Sequence, residues 1–131
     1  MSDNTKEKIE NKIIDLIALN AKGRLVVFKP ENLDNDLVVE KKGDYKKKVI
    51  ALDIFGKDEI NQLVEKADLK PVENFYLLVV SFDIVKQDIE DNFLVVPSLK
   101  FKELAGKNDF FKFSMSKKEF VSFLIKELEK K

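Results

Sequence analysis

The sequence contains neither cysteine nor histidine. These absences exclude a zinc finger, a thiol nucleophile, a Ser-His-Asp triad and an imidazole base, because each needs one of the two missing side chains. They also exclude a disulfide framework. Any metal would have to be held by carboxylates, carbonyl groups and water, which restricts metal-dependent chemistry to hard cations such as Mg²⁺, Mn²⁺ and Ca²⁺.

The sequence also lacks an excess of positive charge. Its 24 basic residues (Lys+Arg) balance 24 acidic ones, and Arg24 is the only arginine. Bidentate contacts to guanine or phosphate are typical of arginine, and tight nonspecific binding of nucleic acid usually needs a net basic surface. The composition therefore disfavours a strong nucleic-acid binder unless lysines cluster on one surface.

Long apolar segments are missing as well. The longest apolar run, residues 75–80, is far too short to span a bilayer. The first five residues lack the basic and apolar regions of a secretory signal, so we expect a cytoplasmic protein with no membrane partner. With 131 residues, of which 44% are hydrophobic, residues 1–131 are expected to form one globular domain.

Hydrophobic periodicity predicts an α/β fold. Helices are predicted over residues 6–21, 58–67 and 99–105, and a capping box formed by Ser116 and Glu119 opens a C-terminal helix. Strands are predicted over residues 25–28, 36–41, 48–55, 75–82, 93–96 and 110–113. We expect a mixed sheet in which an antiparallel three-strand meander crosses through a helix to a buried strand, with helices on both faces.

One acidic residue interrupts the apolar pattern. Asp53 lies within the predicted strand 48–55, where a carboxylate is unfavourable unless it is hydrogen-bonded, paired or metal-bound. Asp36 begins the preceding strand, so the two carboxylates can hold one divalent ion, which would polarise a phosphate and lower the pKa of a water. The structural alternatives are that Asp53 caps the turn at Gly56 or bonds a lysine, and that Asp36 only belongs to a turn.

This order of elements resembles the core of the PD-(D/E)XK, or restriction-endonuclease-like, superfamily. The resemblance rests on a helix, a strand, a turn, Asp36-Leu37-Val38-Val39-Glu40, a hairpin and the strand bearing Asp53, and it covers about residues 8–125. It implies a restriction-endonuclease-like sheet and a Mg²⁺ site in which Asp36 matches the first acid and Asp53 the second. Glu10 matches the acid that some members place on the first helix.

The chain departs from the family's pattern at one position. The family's lysine, which assists the attacking water, should stand where Phe55 is, and a phenylalanine cannot orient water or stabilise a developing negative charge. Lys57 lies two residues beyond Phe55, so it would share the side of Asp53 if the strand continued past Gly56, and it could then replace the family's lysine. The resemblance therefore implies a nuclease-like domain, weakly active or inactive, that binds or processes nucleic acid, with Asp36, Asp53 and Lys57 as the catalytic set.

Two further interpretations stay open at this point. The lysines of the predicted hairpin form either a wing that contacts phosphates or a solvated turn; they are Lys41, Lys42, Lys46, Lys47 and Lys48. The alternative to a nuclease-like function is a noncatalytic protein-interaction domain that keeps the fold for its stability. Such a domain would bind a protein partner or a second copy of itself.

Overall fold

The computed structural model describes residues 3–31, 35–43, 48–59, 74–100 and 111–130. Its elements, in chain order, are α1 Asp3–Ala21, β1 Leu25–Phe28, β2 Leu37–Lys41, β3 Val49–Gly56, β4 Phe75–Val80, β5 Phe82–Asp83, β6 Asp88–Ile89, β7 Phe93–Pro97, β8 Ser114–Met115 and α2 Lys117–Glu129. Within these ranges, neither helix combines the length and the apolar character needed to cross a membrane.

A mixed sheet organises the described residues. Six strands lie in the order β1-β2-β3-β4-β7-β8, and β5 pairs with β6 in a separate hairpin. Neighbouring strands are antiparallel except β3 and β4, which are parallel. A parallel neighbour requires a crossover connection rather than a tight turn. The predicted α/β class, with an antiparallel meander followed by a crossover strand, is confirmed.

Both described helices cover one face of this sheet. The buried stripe of α1, with Ile9, Ile13 and Ile17, packs with the buried residues of α2 and with alternate strand residues in one apolar core. The rings of Phe93 on β7 and Phe120 on α2 meet edge to face at 5.4 Å. Burial of this face is the main source of stability, because apolar area removed from water contributes about 25 cal/mol per Å².

The other face of the sheet is buried too. Its strand residues with low exposure are Val38, Phe55, Leu77, Val79, Leu94 and Val96. The other two predicted helices, 58–67 and 99–105, lie almost wholly outside the described residues; at their beginnings, Lys57–Glu59 and Ser98–Lys100 form single 3-10 turns. Helical cover of this face therefore stays a prediction.

The C-terminal helix is tied at both ends. The Ser116 hydroxyl accepts the Glu119 N–H at 3.1 Å, and the Glu119 carboxylate accepts the Ser116 N–H at 3.1 Å. This confirms the predicted capping box. At the other end, the Lys48 ammonium donates to the carbonyl of Glu127 at 2.8 Å and to that of Lys130 at 3.4 Å. A lysine at this position satisfies carbonyl groups that a helix end leaves without partners.

One predicted strand was wrong. Within residues 110–113, Phe111–Phe113 form a 3-10 turn, and the strand that pairs with β7 is β8, through Phe93 opposite Met115 and Leu94 opposite Ser114. Aromatic residues favour strands, but tertiary packing overrides that preference. Only two residues can pair with β7 here, because the N-cap of α2 follows at Ser116.

Candidate functional site

Asp36 and Asp53 meet at one end of the β2–β3 ladder. The antiparallel register places Leu37 opposite Leu52, so the next position puts Asp36 opposite Asp53. Directly opposite residues of an antiparallel pair project from the same face, with Cβ atoms about 4.5–5.5 Å apart. The pairing of these two acids therefore follows from the register of two neighbouring strands.

Hydrogen bonds hold the two carboxylates in place. Asp53 Oδ1 accepts the backbone N–H of Asp36 at 3.1 Å and the side-chain amide of Asn35 at 3.4 Å. In return, Asp36 Oδ2 accepts the backbone N–H of Ile54 at 2.8 Å. Each side chain thus bonds the other strand where regular pairing ends. The Gly56 N–H, which Asp53 was expected to cap, is instead accepted by Glu59 Oε1 at 2.8 Å.

The first helix adds a cation and a third acid. The Lys6 ammonium lies 3.0 Å from Asp36 Oδ1, while the Asp36 side chain is only 19% exposed. Glu10 follows Lys6 by four residues, which places both on one side of α1. The Glu10 carboxylate is 3.8 Å from the ammonium of Lys29. We refer to Glu10, Asp36 and Asp53 together as the acid site.

The titration of the acid site reflects burial and crowding. Burial raises the pKa of Asp53 above its ordinary value, and the charge of Asp36 raises it further, against the lowering effect of its hydrogen bonds. Burial likewise raises the pKa of Glu10, assisted by the charge of Asp36. Burial lowers the pKa of Lys6, but its bond to Asp36 and the surrounding carboxylates outweigh that effect, and the net shift is upward.

The donor chemistry of the acid site suits a hard divalent ion. Carboxylates from neighbouring elements are the ligands that Mg²⁺ and Mn²⁺ prefer, and a carboxylate oxygen that accepts one amide N–H keeps a further lone pair. The side chains are not gathered around a single point, however. Among the described residues, no group of three or more acidic side chains is arranged to hold an ion. Asp36 and Asp53 are the pair that would hold one.

Lys57, the residue predicted to assist the acids, has a carboxylate partner outside the acid site. The ammonium of Lys57 is 4.0 Å from Glu90 Oε2, and the ammonium that contacts Asp36 is that of Lys6. Phe55 is buried, with 6% of its surface exposed, opposite Val79 of β4. The role assigned to Lys57 stays a prediction. Sequence reasoning missed Lys6: its four-residue spacing from Glu10 places the two on one side of α1, but it does not indicate contact with Asp36.

The described lysines of the hairpin, Lys41, Lys42 and Lys48, lie away from the acid site. Lys41 is five residues from Asp36 along β2, which corresponds to about 17 Å of strand. Lys41 and Lys42 are exposed, whereas Lys48 bonds the end of α2. Lys46 and Lys47 lie outside the described residues. Contact of these five lysines with nucleic acid stays a prediction.

Comparisons with known proteins add no relative: no protein-family model matches the chain, and no curated protein or solved structure matches it significantly.

Proposed function

We propose that the chain is a nuclease-like domain of the PD-(D/E)XK type, which binds or processes nucleic acid at the acid site and hydrolyses it weakly or not at all. The observation that carries this proposal is the pairing of Asp36 with Asp53 across the end of β2 and β3. The family resemblance implies two acids on adjacent strands, and the register brings these two together.

The order of elements supports the same proposal. A helix, an antiparallel three-strand meander and a fourth strand parallel to the third are the arrangement that the resemblance implies, and they are present as α1, β1–β3 and β4. Glu10 lies on the first helix, where the resemblance expects an acid. Fold alone does not determine function, so the acids carry the functional argument and the topology supports it.

Asp36 and Asp53 would hold Mg²⁺ or Mn²⁺ in this proposal. Such an ion, when bound, polarises a phosphate and lowers the pKa of a water. The carboxylates are half-buried and bonded by backbone N–H groups, which restricts their side-chain rotamers. Preorganised ligands of this kind are what a metal-dependent site requires.

Weak or absent hydrolysis follows from the residues beside the acids. Phe55 occupies the lysine's place and offers no charge to a phosphate. Lys57 is the next residue of the same strand parity as Phe55, but its ammonium faces Glu90. The loss of one well-placed positive group from such a site lowers a rate by about 10²–10³-fold. A domain that binds nucleic acid and cuts it slowly, or not at all, is the outcome we propose.

Cleavage and binding assays with Mg²⁺ or Mn²⁺ test this function. Supercoiled plasmid and labelled single- and double-stranded oligonucleotides would be incubated with the wild type, with Asp53→Asn and with the exposed control Asp15→Asn. We expect salt-sensitive binding, and any nicking should require the ion and disappear in Asp53→Asn alone. If the wild type shows no binding and no ion-dependent cleavage, the proposal is contradicted.

A noncatalytic protein-interaction domain is the second candidate, and one surface feature favours it. Ile84 and Val85 lie at the turn between β5 and β6 with 76% and 94% of their surfaces exposed. Adjacent exposed apolar side chains are typical of contact sites. Sedimentation analysis of the wild type and of Val85→Ser tests this alternative. Self-association of the wild type that the substitution abolishes would support it. If both proteins sediment as monomers, the result would count against a homodimer.

A further inference from the structure

Lys6 places a positive charge directly on the acid site. Its ammonium lies 3.0 Å from Asp36 Oδ1, which is a direct, charge-assisted contact. Glu10 lies one helical turn from Lys6 on the same side of α1, and Asp53 is joined to Asp36 by the hydrogen bond from the Asp36 N–H at 3.1 Å. The protein thus supplies a cation of its own at the place where the proposed function puts a divalent ion.

We propose that Lys6 is a tethered counter-cation, which occupies Asp36 in the absence of metal and has to leave before a divalent ion binds there. This inference rests on the proposed metal site. It deepens that proposal by assigning the residue that regulates access of the ion to the two aspartates.

The two cations exclude one another by electrostatic repulsion. The Lys6 ammonium lies against Oδ1 of Asp36, and Oδ2 accepts the Ile54 N–H. A divalent ion coordinates a carboxylate oxygen at about 2.0–2.1 Å for Mg²⁺, closer than an ammonium approaches. The ion would therefore meet the ammonium within a few ångström, where two positive charges repel strongly at a half-buried position.

Lys6 can vacate the site without any change in the fold. It belongs to the first turns of α1, and 38% of its side chain is exposed. A lysine has four rotatable carbon–carbon bonds, and its ammonium is well solvated once it turns outward. Displacement by metal therefore requires a change of side-chain rotamer and leaves the buried stripe of α1 in the core.

A competing ammonium lowers the apparent affinity for metal. If the competition is removed, the acids lose a neutralising partner and attract the ion more strongly. Because Lys6 is partly exposed, solvent and salt moderate the effect, and we expect the dissociation constant of Mn²⁺ to fall by about tenfold, which corresponds to about 1.4 kcal/mol.

The first test is Mn²⁺ binding, measured from the signal of free Mn²⁺ in electron paramagnetic resonance. Lys6→Met removes the charge and keeps the apolar stem; Lys6→Arg keeps the charge; Lys8→Met changes an exposed lysine of the same helix that faces away from Lys6. We expect tighter binding in Lys6→Met alone, and its loss when Asp53→Asn is added to Lys6→Met.

The outcomes separate this inference from the function on which it rests. If the wild type binds Mn²⁺ and Lys6→Met binds it equally well or more weakly, Lys6 does not act as a counter-cation, while the metal site is still supported. No binding by the wild type or by any variant would overturn both. Binding by Lys6→Met without measurable binding by the wild type would support the inference in its strongest form.

A second measurement uses the wild-type chain and needs no variant to fold. Amine acetylation followed by peptide mass spectrometry reports how free each lysine is, and Lys8 serves as the internal reference. An ammonium released from Asp36 is more accessible to the reagent than one held in the ion pair, so we expect it to react faster. Acetylation of Lys6 relative to Lys8 should rise on addition of Mg²⁺ and stay constant on addition of Na⁺ at equal ionic strength. An unchanged ratio at saturating Mg²⁺ would contradict the inference.

Discussion

Asp36 and Asp53 each accept a backbone N–H from the other's strand. Asp53 Oδ1 accepts that of Asp36 itself at 3.1 Å, and Asp36 Oδ2 accepts that of Ile54, the neighbour of Asp53, at 2.8 Å. The same two carboxylates therefore finish the β2–β3 ladder and form the centre of the proposed metal site. Substitutions at these positions should affect both stability and function, and well-chosen pairs of variants separate the two effects.

Asp36→Ala should lower the free energy of unfolding by about 1–3 kcal/mol, because it leaves the half-buried Ile54 N–H without its acceptor. Asp36→Asn keeps an acceptor oxygen and should lose less. Urea unfolding at neutral pH measures both. The control is Asp15→Ala, on the exposed side of α1, which should stay within about 0.5 kcal/mol of the wild type. Equal losses for Asp36→Ala and Asp36→Asn would argue against a structural role for this hydrogen bond.

Asp53→Asn should change how stability depends on pH. Burial raises the pKa of Asp53 above 3.8 in the folded chain, so the folded state binds this proton more tightly than the unfolded state does. The stabilising contribution of protonated Asp53 is fully present below the unfolded pKa and is lost as the pH rises through the folded pKa. Asparagine cannot ionise, yet it can still accept the Asp36 N–H. The unfolding free energy of Asp53→Asn relative to the wild type should therefore increase from about pH 4 to about pH 7.

Urea titrations across that pH range check the prediction, with Asp15→Asn as the control. A relative stability of Asp53→Asn that falls with rising pH would mean that ionised Asp53 stabilises the fold, and that its partners outweigh its burial.

Ser116→Ala should lower the free energy of unfolding by about 1 kcal/mol, since it removes the N-cap acceptor of α2. Ser122 is exposed within the same helix, where alanine is the better helix former. Ser122→Ala should therefore be neutral or slightly stabilising. Thermal unfolding of the two variants tests the capping box directly, and similar losses in both would show that the hydroxyl at the N-cap has no special effect.

Lys48→Met should destabilise the protein by about 0.5–1.5 kcal/mol, because the ammonium bonds two carbonyls at the end of α2. Lys41→Met, at an exposed position on β2, should leave stability unchanged.

If the hairpin lysines contact phosphates, Lys41→Met should weaken oligonucleotide binding to a similar extent for all sequences and reduce its salt dependence. Urea unfolding and fluorescence anisotropy together assign each lysine a structural or a binding role.

Much of the fold could be predicted because its signals are local. The strands β2 and β3 follow from short apolar runs bounded by polar turns, and the α2 capping box from four consecutive residues. The pairing of Asp36 with Asp53 was also within reach, since strands joined by a hairpin are usually neighbours and register then sets which side chains meet. The strand predicted over residues 110–113 failed because aromatic content indicated it, whereas pairing with β7 and the cap at Ser116 determine where β8 lies.

The chemistry of the site was harder to predict than its acids. Lys57 was chosen by parity along one strand, but a strand's parity does not say which charge lies nearest in space. Lys6 is thirty residues from Asp36 in the sequence and reaches it only because α1 packs across the sheet. Contacts between a helix and a strand end depend on packing, and one sequence alone carries no direct signal for them.

Thermal unfolding with and without Mn²⁺, for the wild type and for Asp53→Asn, tests the central claim most directly. A bound ion should stabilise the wild type by mass action, by about 2.7 kcal/mol at a hundredfold excess over the dissociation constant. We expect the melting temperature of the wild type to rise with Mn²⁺ concentration and most of that rise to disappear in Asp53→Asn. An equal rise in both proteins, or no rise in either, would contradict a metal site at Asp36 and Asp53.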